Sequence, residues 1–158
     1  MATKTLIAVF SRTGITKSLA RAVAVKAGAD IFPINPAKDY PSNYLKCVFV
    51  AKMEQIKDAK PLIMGKPQNL DRYDNIILMS PIWWNTFPRI ILTFLEENNL
   101  QNKNILPVCT HGGGGKGHVD EDLKLRCNNK LLLPCIDATA LKQAAVKTIA
   151  AEIEKLNE

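Results

Sequence analysis

An open, doubly wound α/β sheet is the fold class this sequence predicts, and three features predict it. Apolar runs of strand length alternate with stretches of helical period five times over. Two of those runs, NIILMS and ILPVCT, are apolar on successive residues, which suits strands buried on both faces by helices. The most strongly punctuated stretches, a Ser/Thr/Gly cluster, a tryptophan pair and a glycine tract, follow the first, third and fourth runs. In such sheets ligands sit at the carboxyl ends of strands, where strand order reverses.

The elements follow in order. KTLIAVF reads as a buried strand and ITKSLARAVAVKAGA as the helix after it. ADIFPI then leads, through the proline-rich surface connection PINPAKDYPSNY, to the helical SNYLKCVFVAKMEQIKDAK. Asp39 and Ser42 are the candidate caps of that helix. YDNIILMS precedes FPRIILTFLEEN, in which Pro88 suits the first helical turn. NILPVCT precedes HVDEDLKLRC, and a single strand KLLLPCIDA precedes ALKQAAVKTIAAEIEKL.

With 158 residues and 47% apolar composition, the chain makes one domain, residues 1–158, with a sizeable core. No apolar run approaches bilayer length, and MATKTLIAVF lacks the features of a signal peptide. The expectation is a cytoplasmic protein with no membrane role. Cys47, Cys109, Cys127 and Cys135 form no CxxC, so they read as reduced and mostly packed thiols. The formal charge is +6, but the lysines are scattered without a basic arm or interleaved aromatics, which argues against nucleic acid.

Three loops carry the chemistry. In Ser11-Arg12-Thr13-Gly14-Ile15-Thr16 a strand ends and a helix begins, so unpaired N–H groups and the positive end of the helix dipole face the same space as three hydroxyls. An ordinary helix cap and a cradle for one phosphate both fit. A triphosphate loop does not, because GxxxxGK[ST] is absent. The second loop, Pro81-Ile82-Trp83-Trp84-Asn85-Thr86-Phe87-Pro88, holds both tryptophans, and adjacent indoles cannot both point into one core. At least one is expected to face outward as a platform for a flat ring. The third loop, Thr110-His111-Gly112-Gly113-Gly114-Gly115-Lys116-Gly117, lets backbone approach a ligand closely. His111 suits a ligand contact and a loop-holding hydrogen bond equally. The loop matches GxGxxG only formally, since a dinucleotide site needs it after the first strand. No GxSxG elbow, HExxH or carboxylate cluster after the first strand is present.

Taken in order, SRTGITK, PIWWNTFP and CTHGGGGKG resemble the three cofactor loops of the flavodoxin family, short-chain type, and the likeness spans nearly the whole chain. The resemblance implies a three-layer sandwich with a five-stranded parallel sheet in order 2-1-3-4-5, a topology the family itself exemplifies. It also implies an FMN-binding electron carrier, or alternatively an NAD(P)H-dependent quinone or nitro reductase on the same fold. By that likeness Ser11, Arg12, Thr13, Gly14, Ile15 and Thr16 bind the phosphate. Pro81, Ile82, Trp83, Trp84 and Asn85 wall the ring. Thr110, His111, Gly112, Gly113 and Gly114 line its pyrimidine edge, with Gly117 in the same loop. No catalytic side chain and no metal are implied. Two positions depart from the family pattern: Ile15 stands where relatives usually carry a polar residue, and Asn85 where they usually carry glycine.

Charge adds an expectation about partners. The windows through Ala29, from Asn75 to Leu95 and from Ile105 to Val119 contain no Asp or Glu, while Arg12, Lys17, Arg21, Arg89 and Lys116 lie within them. Basic cofactor surroundings, a raised second reduction potential and redox partner proteins with an acidic docking surface are expected, for a chain that is a monomer or weak dimer.

Overall fold

The computed structural model describes residues 4–127, 131–139 and 142–158. Strand β1 (Thr5–Val9) leads to helix α1 (Ile15–Ala27), β2 (Asp30–Pro33) to α2 (Tyr44–Ile56), and β3 (Asn75–Pro81) to α3 (Arg89–Glu97). Then β4 (Asn104–Thr110) leads to α4 (Val119–Arg126), and β5 (Leu131–Leu132) with β6 (Ile136–Asp137) to α5 (Lys142–Asn157). Every pairing between these strands is parallel, and the order is β2-β1-β3-β4-β5, as expected, with β6 also beside β4.

The period-two alternation of a strand distributes the apolar runs between two cores. Leu6, Ala8, Ile76, Leu78, Ile105 and Cys109 face one side, where Ile90, Ile91 and Phe94 of α3 and Val119 and Leu123 of α4 cover them. Ile7, Val9, Ile77, Met79, Leu106 and Val108 face the other, against Leu19, Ala20 and Val23 of α1 and Ile149 and Ile153 of α5. The two sheet faces therefore carry separate hydrophobic cores, and β3 and β4 are apolar without interruption because both their faces are dry.

Three expectations need correction. KLLLPCIDA is not one strand: β4 pairs with Leu131–Leu132 at an offset of 27 residues and with Ile136–Asp137 at 28. One extra residue is accommodated between Leu132 and Ile136, a stretch that holds Pro134 while the facing stretch of β4 holds Pro107, and neither proline has an N–H to give the ladder. The start of that strand at 130 and that of the last helix at 140–141 lie outside the described residues. Second, the cap of α2 is Asn43, whose side chain accepts from Lys46 N–H at 3.1 Å. Asp39 and Ser42 lie too far back to reach the third helical N–H. Third, Pro88 occupies the cap position of α3, one residue before its first turn. The cysteines are unpaired, with Cys47, Cys109 and Cys135 buried. No helix among the described residues is long and apolar enough to cross a membrane.

Candidate functional site

The strand order reverses between β1 and β3, so the loops leaving their carboxyl ends diverge and open a crevice. The loop after β1 holds the N-terminus of α1. Gly14, at φ 94°, is the residue before the first turn, and no side chain caps the helix. Ser11 Oγ instead accepts from Gly14 N–H at 3.0 Å, and the first intrahelical bond runs from Ser18 N–H to Gly14 C=O. The N–H groups of Ile15, Thr16 and Lys17 thus precede the helical ladder, with no acidic residue in the first turn to compensate the dipole. An ordinary side-chain cap is not what these residues make.

Hydrogen bonds tie the three loops together. Thr16 Oγ1 and Thr110 Oγ1 are 2.9 Å apart, and Ile82 N–H donates to Thr110 C=O at 2.8 Å. His118 N–H donates to Asn85 C=O at 2.6 Å. Thr86 Oγ1 donates to Asp122 of α4.

The second loop is a two-residue hairpin: Trp83 and Thr86 form an antiparallel bridge, and Trp84 and Asn85 between them have φ of 56° and 66°. Positive φ at both central residues is the type I′ requirement. Asparagine tolerates it; tryptophan does so at a cost of about 1–2 kcal/mol. Trp84 is held there because its Nε1–H donates to Val48 C=O at 2.9 Å and Lys52 Nζ lies 4.9 Å from its ring. Gln55 Nε2 donates to the carbonyls of both Trp83 and Trp84. Trp84 is the outward-facing indole, at 44% exposure. Trp83 is packed at the edge of the core, its ring edge-on to Phe10 at 5.3 Å and to Tyr40 at 5.0 Å.

In the third loop His111 organises the glycines. Its Nδ1 accepts from Gly113 N–H at 3.0 Å and Gly115 N–H at 3.3 Å, so the proton sits on Nε2, which donates to Asp137 Oδ2 at 2.7 Å. His111 is therefore a loop holder. Burial alone would raise the Asp137 carboxyl, but the His111 bond and the Thr139 donors outweigh it and hold it below the usual range. A Cβ on Gly112, Gly113, Gly114 or Gly115 would meet nothing within 4 Å, so this rim stands open. Gly117 is the opposite case: a Cβ there would collide with the Asn85 carbonyl.

Two clefts adjoin the loops. One, about 270 Å³, is lined by Arg12, Ile82, Trp83 and Trp84 together with Tyr44, Cys47, Val48 and Ala51 of α2. The other, about 500 Å³, joins Ser11 to Thr13 with Asn35, Asp39, Tyr40 and Pro41. The connection PINPAKDYPSNY is thus a wall of the crevice as well as a surface loop. Tyr40, Tyr44, Cys47 and Val48 were missed as site residues, and the two tyrosines flanking Pro41 were the available signal. Cys47 is no reactive thiolate, since burial pushes its thiol up more than Arg12 pulls it down. Burial likewise pushes up the carboxyl of Glu54, which accepts from Tyr40 Oη at 2.9 Å.

Some of the predicted residues use their polar groups on the protein itself or face solvent. The Arg12 guanidinium turns to the start of α2, where Nη2 donates to the carbonyls of Pro41 and Ser42, while Nε is buried with no partner. Thr16 spends its hydroxyl on Thr110, and Ile15 is 69% exposed. The charge expectation fails at two points. Arg89 is buried against the turn that follows α2, its Nε donating to Ala59 C=O and its Nη2 to Asp58. Lys116 pairs with Asp120 at 2.6 Å. Nor are the loops free of carboxylates, for the fold brings Asp39 to the second cleft, Asp122 to Thr86 and Asp137 to His111 from outside the three windows.

The flavodoxin family model matches residues 4–152. No curated protein matches the chain. Among solved structures, a candidate flavoprotein from Bacteroides eggerthii is 30% identical, with a TM-score of 0.84 over 96% of this chain and 98% of that one. A flavoprotein from Lactobacillus acidophilus in complex with FMN is 20% identical, at 0.77 over 93% and 98%. Oxidised flavodoxin 2 from Bacillus cereus is 16% identical, at 0.59 over 97% and 99%; these last two likenesses show the fold alone.

Proposed function

Since this chain belongs to the flavodoxin family, we propose that it holds FMN in the crevice between the three loops and passes electrons between redox partners. The observation that carries this reading is the uncapped N-terminus of α1, which presents the N–H groups of Ile15, Thr16 and Lys17 next to Ser11 at the sheet's switch point. The chain fits the group: Arg12 Nε is a buried donor without a partner, and the rim from Gly112 to Gly115 has open space where side chains would otherwise stand. Bound there, FMN supplies reversible electron transfer at its ring.

The residues of the chain do the rest. Ser11, Thr13 and the first turn of α1 would hold the phosphate, with Ile15 contributing only its backbone. Ile82 to Asn85 and Gly112 to Gly114 would hold the ring and exclude water from it. His111, through Gly113 and Gly115, keeps the glycine rim in place, and Asp137 keeps His111 in the tautomer that accepts those two N–H groups. A second reading, an NAD(P)H-dependent quinone or nitro reductase, is favoured by the cleft of Tyr44, Val48, Trp83 and Trp84, which is apolar enough to take a flat organic substrate.

The test is direct. Purified protein is expected to be yellow and to bind FMN at least about tenfold more tightly than riboflavin, since the phosphate contacts contribute more than about 1.4 kcal/mol. Equal affinity would remove the phosphate site. Anaerobic mixing with NADPH then separates the readings: an unbleached flavin supports the carrier, and rapid bleaching the reductase.

A further inference from the structure

Helix α2 is apolar on two opposite sides. Cys47 and Ala51 are buried, while Leu45, Phe49 and Ile56 are 75%, 66% and 67% exposed. At about 100° per residue these three lie within about 40° of one another around the helix axis, a stripe facing away from the core. Lys52 lies on the same outward face, and its ammonium stands over the Trp84 ring. Trp84 in turn bonds to Val48 C=O, which ties the second cofactor loop to this helix.

The charge around the stripe has one sign. Lys46, Lys52 and Lys57 are exposed along it. The neighbouring carboxylates are engaged elsewhere: Glu54 turns inward to Tyr40, and Asp58 is held by Arg89 and Arg126. A second copy of the chain on this face would set lysines against lysines.

We propose that the outward stripe of α2 docks an acidic redox protein, whose apolar contact area ringed by carboxylates meets Leu45, Phe49 and Ile56 within the lysine rim. Docked there, the partner reaches the cofactor crevice at its Trp84 edge, gives up one electron and is oxidised as the flavin is reduced, with no bond made or broken. The inference rests on the FMN reading above, and it adds the surface and the partner's chemistry.

The probe is a photoreduced plant-type [2Fe–2S] ferredoxin, a small one-electron carrier, used in an acidic form and mixed with the FMN-loaded protein. Flavin reduction is expected to slow at least about tenfold between about 0.01 and about 0.15 M salt. Leu45→Gln/Phe49→Gln, which removes apolar surface without changing charge, and Lys46→Glu/Lys57→Glu, which inverts the rim, are each expected to slow it about tenfold at low salt. Reduction by dithionite should be the same in all three proteins. A rate insensitive to salt or to both variants overturns the proposal, as does a wild-type dimer in sedimentation that Leu45→Gln/Phe49→Gln dissolves. Loss of FMN binding in the wild type would instead strike the cofactor reading, and the flavin spectrum recorded before mixing tells the two failures apart.

Discussion

Gly117 shows how a single atom can join two loops. Its φ of 59° is one an L side chain rarely adopts, and the space a Cβ would need is filled by the carbonyl, C and Cα of Asn85. The same Asn85 carbonyl accepts the short bond from His118 N–H, so the two loops share one contact that only glycine permits. Gly117→Ala is therefore expected to destabilise the protein by about 2–4 kcal/mol, combining overpacking with left-handed strain. Urea unfolding measures the loss, and a change below about 0.5 kcal/mol would show that Gly117 does not approach the Asn85 carbonyl so closely. Asn85 stands in the turn for a related reason, since asparagine tolerates positive φ where most residues do not. Trp84 has no such excuse in its backbone and is kept there by its indole contacts on α2.

The start of α1 allows a test in which two effects take opposite signs. Ile15 is exposed at the first helical position, where the dipole favours a negative charge. Ile15→Asp should stabilise the protein without cofactor by about 0.3–1 kcal/mol. The same carboxylate should weaken FMN about tenfold or more by repelling the phosphate, and should spare riboflavin. If FMN and riboflavin weaken alike, the phosphate does not sit at this helix end. The junction of β4 and β6 gives a pH dependence. Asp137 has its folded-state carboxyl below the usual value of 3.8, so it adds stability above about pH 4 that is lost as pH falls through the folded value. Asp137→Asn removes that contribution, and its deficit against wild type in urea midpoints should be present at pH 7 and shrink toward pH 3. A deficit equal at both pH values would mean that the carboxylate charge does not hold His111.

Across the full chain, the cofactor would bridge loops leaving β1, β3 and β4, so its binding should be read by the cooperative unfolding of the fold rather than by one loop. At FMN about 100 times its dissociation constant, mass action adds about 2.7 kcal/mol. For a domain of this size that raises Tm by roughly 5–11 °C. Differential scanning fluorimetry with FMN, and with riboflavin at the same concentration, measures it. An unmoved Tm with FMN would mean that the crevice does not hold the cofactor. The net charge of +6 acts at the same level, through the rate and salt dependence of partner encounter more than through stability.

The periods of two and 3.6 residues, the uninterrupted apolar runs of β3 and β4, and the turn residues between them were enough to read the fold class, the element order and the three loops. Those signals are local, because the buried face of each strand and helix is written in residues a few positions apart. What lay beyond them came from residues distant in the chain: Asn85 against Gly117, Thr16 against Thr110, His111 against Asp137, and the α2 wall of the crevice. The charge argument failed for the same reason. A window free of carboxylates along the chain says nothing of Asp58 meeting Arg89 or Asp122 meeting Thr86, since electrostatic neighbours are set by distance in space, which packing alone decides.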